Sequence, residues 1–149
     1  MITRADLLAF MRSHRYAVQS SVHPEGGPQS AVVGIAVSDD FEIVFDTLEN
    51  SRKAESLRQQ PEISFVFADL TGKDERTVQC EGLVDEPTGA ELERLIDLYL
   101  EVFPDGRERQ KWPGLIYVTT KLTWLRYCNY NQNPPQIIEF DREELGDLK

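Results

Sequence analysis

Short stretches in which apolar and polar residues alternate dominate this chain, and such alternation predicts β-strands. Gly, Pro, Asn and Asp are frequent between these stretches, as in the HPEGGPQ loop, so successive strands are expected to pair as antiparallel hairpins. The predicted strands cover residues 16–22, 31–37, 41–48, 63–68, 76–84, 115–127 and 136–140.

Three segments show helical spacing instead. A capping signal at residues 3–6 predicts a short N-terminal helix, and residues 51–60 predict a second helix that ends before a proline. A capping box is predicted at residues 88–91, before a third helix whose apolar residues from 92 to 103 recur at helical spacing. The final DREELGDLK is expected to form a polar, frayed tail.

The order of these elements predicts the fold class. Six or seven short strands with three inserted helices, and no regular alternation of strand and helix, favour a closed or nearly closed antiparallel β-barrel over a doubly wound parallel sheet. The class is therefore mainly β (α+β). A length of 149 residues is typical of one domain, so residues 1–149 are expected to form a single domain.

The acidic composition limits the kinds of partner that the chain can bind. Its 16 Lys and Arg residues against 26 Asp and Glu residues give a net charge of −10, which repels nucleic-acid backbones and anionic membrane surfaces. Charges interrupt the apolar residues of the N-terminal MITRADLLAFMRSHR, so neither a signal peptide nor a membrane span is predicted there. We expect a cytoplasmic protein that binds no nucleic acid and no membrane.

Few residues have the spacing of a metal site or a catalytic group. Cys80 and Cys128 lack CxxC spacing and lie in apolar stretches, so both are expected to be small buried side chains. His14 and His23 share no predicted face with a nucleophile or a second ligand and are interpreted as surface histidines. No metal site is predicted, and no residue is identified as a catalytic acid or base.

The most informative segment is DTLENSRKAESL at 46–57, where a strand ends and a helix begins. A helix N-terminus presents unpaired N–H groups and a partial positive charge, so the cations Arg52 and Lys53 are unfavourable in its first turn unless an anion binds there. A phosphate would satisfy both features. In the alternative interpretation Ser51 or Asn50 merely caps the helix, and the two cations point into water near Glu49 and Glu55.

These motifs resemble those of the pyridoxamine 5′-phosphate oxidase family, part of the wider group of FMN-binding split barrels. In that family the third strand ends in an aromatic-Thr pair, and a Ser-Arg-Lys-Ala motif follows whose Arg and Lys hold the FMN phosphate. Asp46-Thr47 and Ser51-Arg52-Lys53-Ala54 occupy the same spacing here. The RTVQCEG stretch at 76–82 resembles the family's Arg-Gln-Val strand, and Trp112-Pro113-Gly114 leading to Trp124 resembles its Trp-x-Gly stretch.

Several family positions carry other residues in this chain. The AVVGIA run at 31–36 lacks the Arg and Lys that the family places at the flavin ring, and Thr77 stands in place of a Gln that reaches the flavin. Asp46 stands in place of the aromatic residue, and NYNQNPPQIIEF has no counterpart of the Arg-x-His-x-Arg element that helps bind pyridoxal phosphate. The resemblance therefore implies the cofactor and not the vitamin B6 substrate.

By this resemblance the chain is expected to form a homodimer with FMN lodged between the subunits. Arg52 and Lys53 would neutralise the phosphate, and Ser51 and Thr47 would donate hydrogen bonds to it. Main-chain groups of residues 31–33 would face the ring edge. The complete set of expected cofactor-binding residues is Ala31, Val32, Val33, Asp46, Thr47, Ser51, Arg52, Lys53, Thr77 and Trp124.

Three kinds of function are compatible with these features. The first is an FMN-dependent oxidoreductase acting on a small organic substrate, in which the flavin supplies the redox chemistry. The second is a non-catalytic module that holds flavin or another phosphorylated ligand as a sensor or carrier. The third is a structural dimer without ligand, expected if Arg52 and Lys53 are fully solvated and pair with Glu49 and Glu55. Deazaflavin or heme in place of FMN also stays open, because fold alone does not fix function.

Overall fold

The computed structural model describes residues 1–149 and contains one curled antiparallel sheet. Its eight strands follow the order β2-β1-β5-β6-β7-β4-β3, and β8 pairs with β7. The strands are β1 (Tyr16–Val22), β2 (Pro28–Gly34), β3 (Ala36–Val37), β4 (Ile43–Leu48), β5 (Glu62–Ala68), β6 (Arg76–Asp85), β7 (Leu115–Asn129) and β8 (Gln136–Asp141). The helices are α1 (Arg4–Arg12), α2 (Arg52–Gln59), α3 (Gly89–Val102), α4 (Gly106–Arg109) and α5 (Arg142–Asp147).

The main core fills the concave inner face of the sheet. Alternation along the strands directs every second side chain inward, so that Phe45, Phe65 and Leu125 all lie in one buried apolar cluster. A second apolar cluster, around Tyr99, lies between α3 and the opposite face of β4 and β7. The architecture is the predicted antiparallel split barrel with a few short helices.

The predicted strand at 31–37 is interrupted. Ile35 separates β2, which pairs with β1, from the two-residue β3, which pairs with β4. The Ile35 amide donates to the carbonyl of Arg15 outside either ladder, which allows the chain to pass from one side of the barrel to the other. Phe41, predicted to begin the next strand, has φ +60 and belongs to the turn before β4.

The helices differ from the sequence predictions in three places. Thr88 makes no side-chain capping bond, and the Glu91 carboxylate of the predicted capping box accepts from Arg94 instead. The α4 helix was not predicted. The C-terminal segment is not a frayed tail: a capping box begins α5, its Leu145 is buried, and Arg4 donates to the Leu145 carbonyl.

Candidate functional site

The predicted phosphate-binding segment lies where β4 ends and α2 begins. The Ser51 side chain caps α2 by accepting a hydrogen bond from the Ala54 amide at 3.2 Å. The amides of Arg52 and Lys53 have no hydrogen-bond partner within the protein. This end of α2 therefore keeps two free N–H donors, which is the arrangement that binds anions at helix N-termini.

Hydroxyl groups and an ammonium group converge beside these donors. The Oγ1 atom of Thr47 lies 3.0 Å from the Oγ atom of Ser51 and accepts a hydrogen bond from Nζ of Lys53 at 3.3 Å. Thr47 is buried, whereas Ser51 and Lys53 are half-buried and Arg52 is exposed. The predicted residues from Thr47 to Lys53 are thus close together.

The cations of this cluster are not neutralised within the chain. Neither Arg52 nor Lys53 forms an ion pair, and Glu49 and Glu55 take part in none. The pairing expected for a purely structural role is therefore absent. Two uncompensated cations at the positive end of a helix favour an anion, even in a chain whose net charge is −10.

Strand β2 brings residues 31–33 to an outer edge of the sheet. It pairs with β1 on one side only, so main-chain groups on its other side are available for a ligand. Val33 is buried, Ala31 is half-buried, and Val32 is 66% exposed on the outer face. Strand β3 pairs antiparallel with β4. The residues that precede Ile35 in β2 therefore lie near the part of β4 that ends at Thr47.

The side chain of Asp46 is committed to a different set of contacts. It points to the face opposite Thr47 and accepts from Nε of Arg109 at 2.8 Å and from the Tyr99 hydroxyl at 3.1 Å. Arg109 also donates to Tyr99 and Asp105. Burial raises the pKa of the Tyr99 hydroxyl, and the adjacent Asp46 carboxylate acts in the same direction. Only main-chain groups of Asp46 remain available to a ligand at the α2 end.

Thr77 and Trp124 lie away from this cluster in the same chain. Thr47 pairs with Ile116 on β7. Trp124 follows Ile116 by eight residues on the same strand, and an extended chain of that length spans about 25 Å. Thr77 pairs with Cys128, beyond Trp124. Both are half-buried. One subunit therefore does not bring Trp124 and Thr77 together with Thr47.

Other candidate residues of the sequence have structural roles. Tyr127 fills the barrel core, and both cysteines are buried, with the pKa of the Cys80 thiol raised to about 12 by burial. His14 is half-buried, contacts the ring edges of Phe10 and Phe67, and bonds to the Phe10 carbonyl. No group of three or more His, Cys, Asp or Glu side chains is arranged to hold a metal ion. No helix combines the length and the apolar character needed to cross a membrane.

Sequence reasoning missed a set of polar residues on the inner face of the first hairpin. Gln19 and Ser21 on β1 and Gln29 on β2 each have a buried polar atom without a hydrogen-bond partner. Ala17, Gln19 and Ser21 follow each other at every second position of β1, so their side chains point to the same inner face. That parity was the available signal, since polar residues at inward positions of a strand need partners.

The donor set at the α2 end matches the chemistry of a flavin phosphate. Free amides, hydroxyls and two cations suit a phosphate group, and the open edge of β2 suits a flat ring with hydrogen-bonding edges. Metal binding has no comparable support, because the cations and the positive helix end at this place disfavour a second cation.

Comparisons with known proteins agree with this fold. Among solved structures, the chain is similar to a heme binding protein from Mycobacterium smegmatis, with a TM-score of 0.84 and 14% identity over 97% of this chain and 60% of that protein. It is similar to a pyridoxamine 5′-phosphate oxidase-related, FMN binding protein from Nostoc punctiforme, with a TM-score of 0.69 and 15% identity over 92% and 87% of the two chains. It is also similar to the heme storage protein HutZ from Vibrio cholerae, with a TM-score of 0.70 and 12% identity over 80% of this chain and 89% of that protein.

These identities show the fold alone, and the chain spans 60% of the length of the Mycobacterium smegmatis protein. No curated protein is significantly similar in sequence. The sequence profile described as pyridoxamine 5′-phosphate oxidase matches residues 3–115, which is most of the chain. The chain therefore belongs to the pyridoxamine 5′-phosphate oxidase family.

Proposed function

We propose that this protein binds FMN and acts as an FMN-dependent oxidoreductase on a small organic substrate. The observation that carries the proposal is the N-terminus of α2, where two free amides and two unpaired cations meet the hydroxyls of Thr47 and Ser51. A phosphate supplies the anion that this arrangement lacks. Bound flavin would supply the redox chemistry, and the chain would bind and orient it.

The two cations have different roles in this proposal. Arg52 can present its planar guanidinium to two phosphate oxygens, whereas Lys53 acts as a single charge. The bond from Lys53 to Thr47 limits where that charge lies before the ligand arrives. The ring would then extend along the open edge of β2, where main-chain groups of residues 31–33 can pair with its polar edge.

We further propose a homodimer in which each flavin contacts both subunits. Val32, Val18 and Val66 are cross-strand neighbours on the outer face of the sheet, and Val32 and Val66 are 66% and 43% exposed. An apolar row of this kind favours burial against a partner. Trp124 and Thr77 would reach the flavin from the second subunit, since they are remote from Thr47 in their own chain.

A non-catalytic binding module is the second candidate. Two of the compared structures are named as heme binding or heme storage proteins, which favours a binding role over catalysis. Reduction of the bound flavin by a nicotinamide cofactor, followed by transfer to an acceptor, would support the enzyme. A bound flavin that stays oxidised under those conditions would support the module.

The proposed function is tested by titrating the protein with FMN, riboflavin and hemin. FMN should bind more tightly than riboflavin, because only FMN carries the phosphate. Changing both Arg52→Ala and Lys53→Ala should weaken FMN binding by about 100-fold or more, since each charge-assisted hydrogen bond contributes about 1.5–3 kcal/mol. Riboflavin affinity should stay near that of the unchanged protein.

The matched control changes Lys73→Ala and Arg107→Ala. Both residues are exposed and form no ion pair, so this variant alters the net charge equally without touching α2. Its FMN affinity should equal that of the unchanged protein. The proposal fails if the unchanged protein binds no FMN, if it prefers hemin, or if the α2 variant and the control lose affinity alike.

A further inference from the structure

Three buried polar groups on the first hairpin have no partner in the chain. They are Oε1 of Gln19, Oγ of Ser21 and Nε2 of Gln29. Gln19 is 1% exposed and Ser21 is 3% exposed. Because a buried polar atom without a hydrogen bond is costly, a set of three on one hairpin requires an explanation.

The three side chains lie on the same face of the β1–β2 hairpin and surround Ala31. Ser21 pairs directly with Gln29, and Gln19 pairs with Ala31 and, on its other side, with Phe65. All of them therefore lie on the inner side of the β1–β2 hairpin, flanking the half-buried Ala31.

The β1–β2 hairpin adjoins helix α2 and strand β4. Helix α2 packs against β1, and β2 approaches β4, the strand that carries Thr47. The hairpin that carries Gln19, Ser21 and Gln29 is therefore adjacent both to α2, which carries Arg52 and Lys53, and to the strand of Thr47. The hairpin offers neutral donors and acceptors, whereas the helix offers positive charge.

We propose that Gln19, Ser21 and Gln29 bind the hydroxyl groups of a polyol chain whose phosphate is held at α2. Amide and hydroxyl side chains both donate to and accept from neutral hydroxyls, as such a chain requires. This inference rests on the proposed function and deepens it, because the ribityl phosphate part of FMN is a ligand of this class. Heme has no polyol chain and would leave the three groups unpaired.

The test compares FMN and riboflavin in three variants. Gln19→Met and Ser21→Ala each remove one polar group while keeping an apolar side chain of similar or smaller size. Both ligands carry the ribityl chain, so each variant should weaken FMN and riboflavin by the same factor, about tenfold. The Arg52→Ala and Lys53→Ala double variant should weaken FMN alone.

Stability without ligand gives a second readout. Since the removed atoms have no partner in the free protein, Gln19→Met and Ser21→Ala should unfold at the same temperature as the unchanged protein or at a higher one. The matched control is Thr119→Val, which removes another buried hydroxyl without a partner, on the side of β7 that faces α3. It should leave both affinities unchanged.

The outcomes separate this inference from the proposed function. If the unchanged protein binds neither flavin, the proposed function fails and this inference fails with it. If the unchanged protein binds both flavins and Gln19→Met and Ser21→Ala bind them equally well, only this inference is overturned. It is also overturned if either variant lowers the melting temperature while the affinities stay unchanged, because that combination indicates a purely structural role.

Discussion

The carboxylate of Asp46 accepts a hydrogen bond from Nε of Arg109 at 2.8 Å, and this ion pair ties α4 to the strand that ends at the candidate phosphate site. The two side chains are 12% and 21% exposed, so the pair is largely removed from water. Thr47, the residue after Asp46, points to the opposite face of the strand, toward α2. One strand thus carries a structural ion pair and a candidate ligand contact on successive residues.

Changing Asp46→Ala should destabilise the fold and leave ligand affinity nearly unchanged. The change leaves Arg109 partly buried without its main partner, which should lower the free energy of unfolding by about 2 kcal/mol, less than for a fully buried pair. Denaturant unfolding measures this loss, and FMN titration of the folded variant measures affinity.

The matched control for that prediction is Asp105→Ala. Asp105 is the other carboxylate bound to Arg109, and its side chain is 71% exposed. Its removal should cost less than about 1 kcal/mol, because exposed ion pairs contribute little. A folded Asp46→Ala variant that no longer binds FMN would show that the carboxylate itself contacts the ligand.

Charges placed on the outer apolar row should separate the proposed homodimer. Val32→Asp combined with Val66→Asp puts two carboxylates where we expect two subunits to meet, so sedimentation should report a monomer. FMN affinity should fall with the loss of the dimer, because in the proposed dimer the second subunit would supply part of the site.

Leu70→Asp serves as the control for the dimer test. Leu70 is 92% exposed on the turn between β5 and β6, away from the row of valines. This variant should keep both the dimer and the FMN affinity. A sedimentation profile in which the unchanged protein is already monomeric, or in which the double variant remains dimeric, contradicts the prediction.

The pair between Asp74 and Arg76 should make stability depend on acidic pH. Hydrogen bonds from the Arg76 guanidinium hold the pKa of Asp74 well below its ordinary value, and Asn131 donates a further hydrogen bond to the same carboxylate. A depressed folded-state pKa adds stability above the unfolded-state pKa, and this stability is lost as the pH falls through the folded-state value.

Asp74→Asn should therefore be less stable than the unchanged protein at neutral pH. The difference should shrink as the pH falls below about 4, the ordinary pKa of an aspartate. Urea unfolding at neutral and acidic pH measures it. Glu75→Gln, which removes an exposed neighbouring carboxylate without an ion pair, is the control. A difference that stays constant with pH would contradict the argument.

The sequence by itself determined the elements and the local chemistry of this protein. Alternation along each strand is a local property, so most strands and the start of α1 follow from the residues alone. The segment from Thr47 to Lys53 is equally local, because a strand end and a helix start only a few residues apart must bring their side chains together.

Tertiary structure decided the contacts between residues distant in sequence. The chain had to fold before Arg109 could meet Asp46 and before Arg4 could hold the C-terminal α5. Strand pairing was likewise needed before β1 and β2 could bring their unpaired polar side chains onto one face. The contacts of Arg109 and Arg4 leave no periodic signal, since each depends on which elements become neighbours in the fold. The charge and hydrogen-bonding groups of the candidate site are therefore set by the sequence, and the packing of the barrel decides which of them share one space.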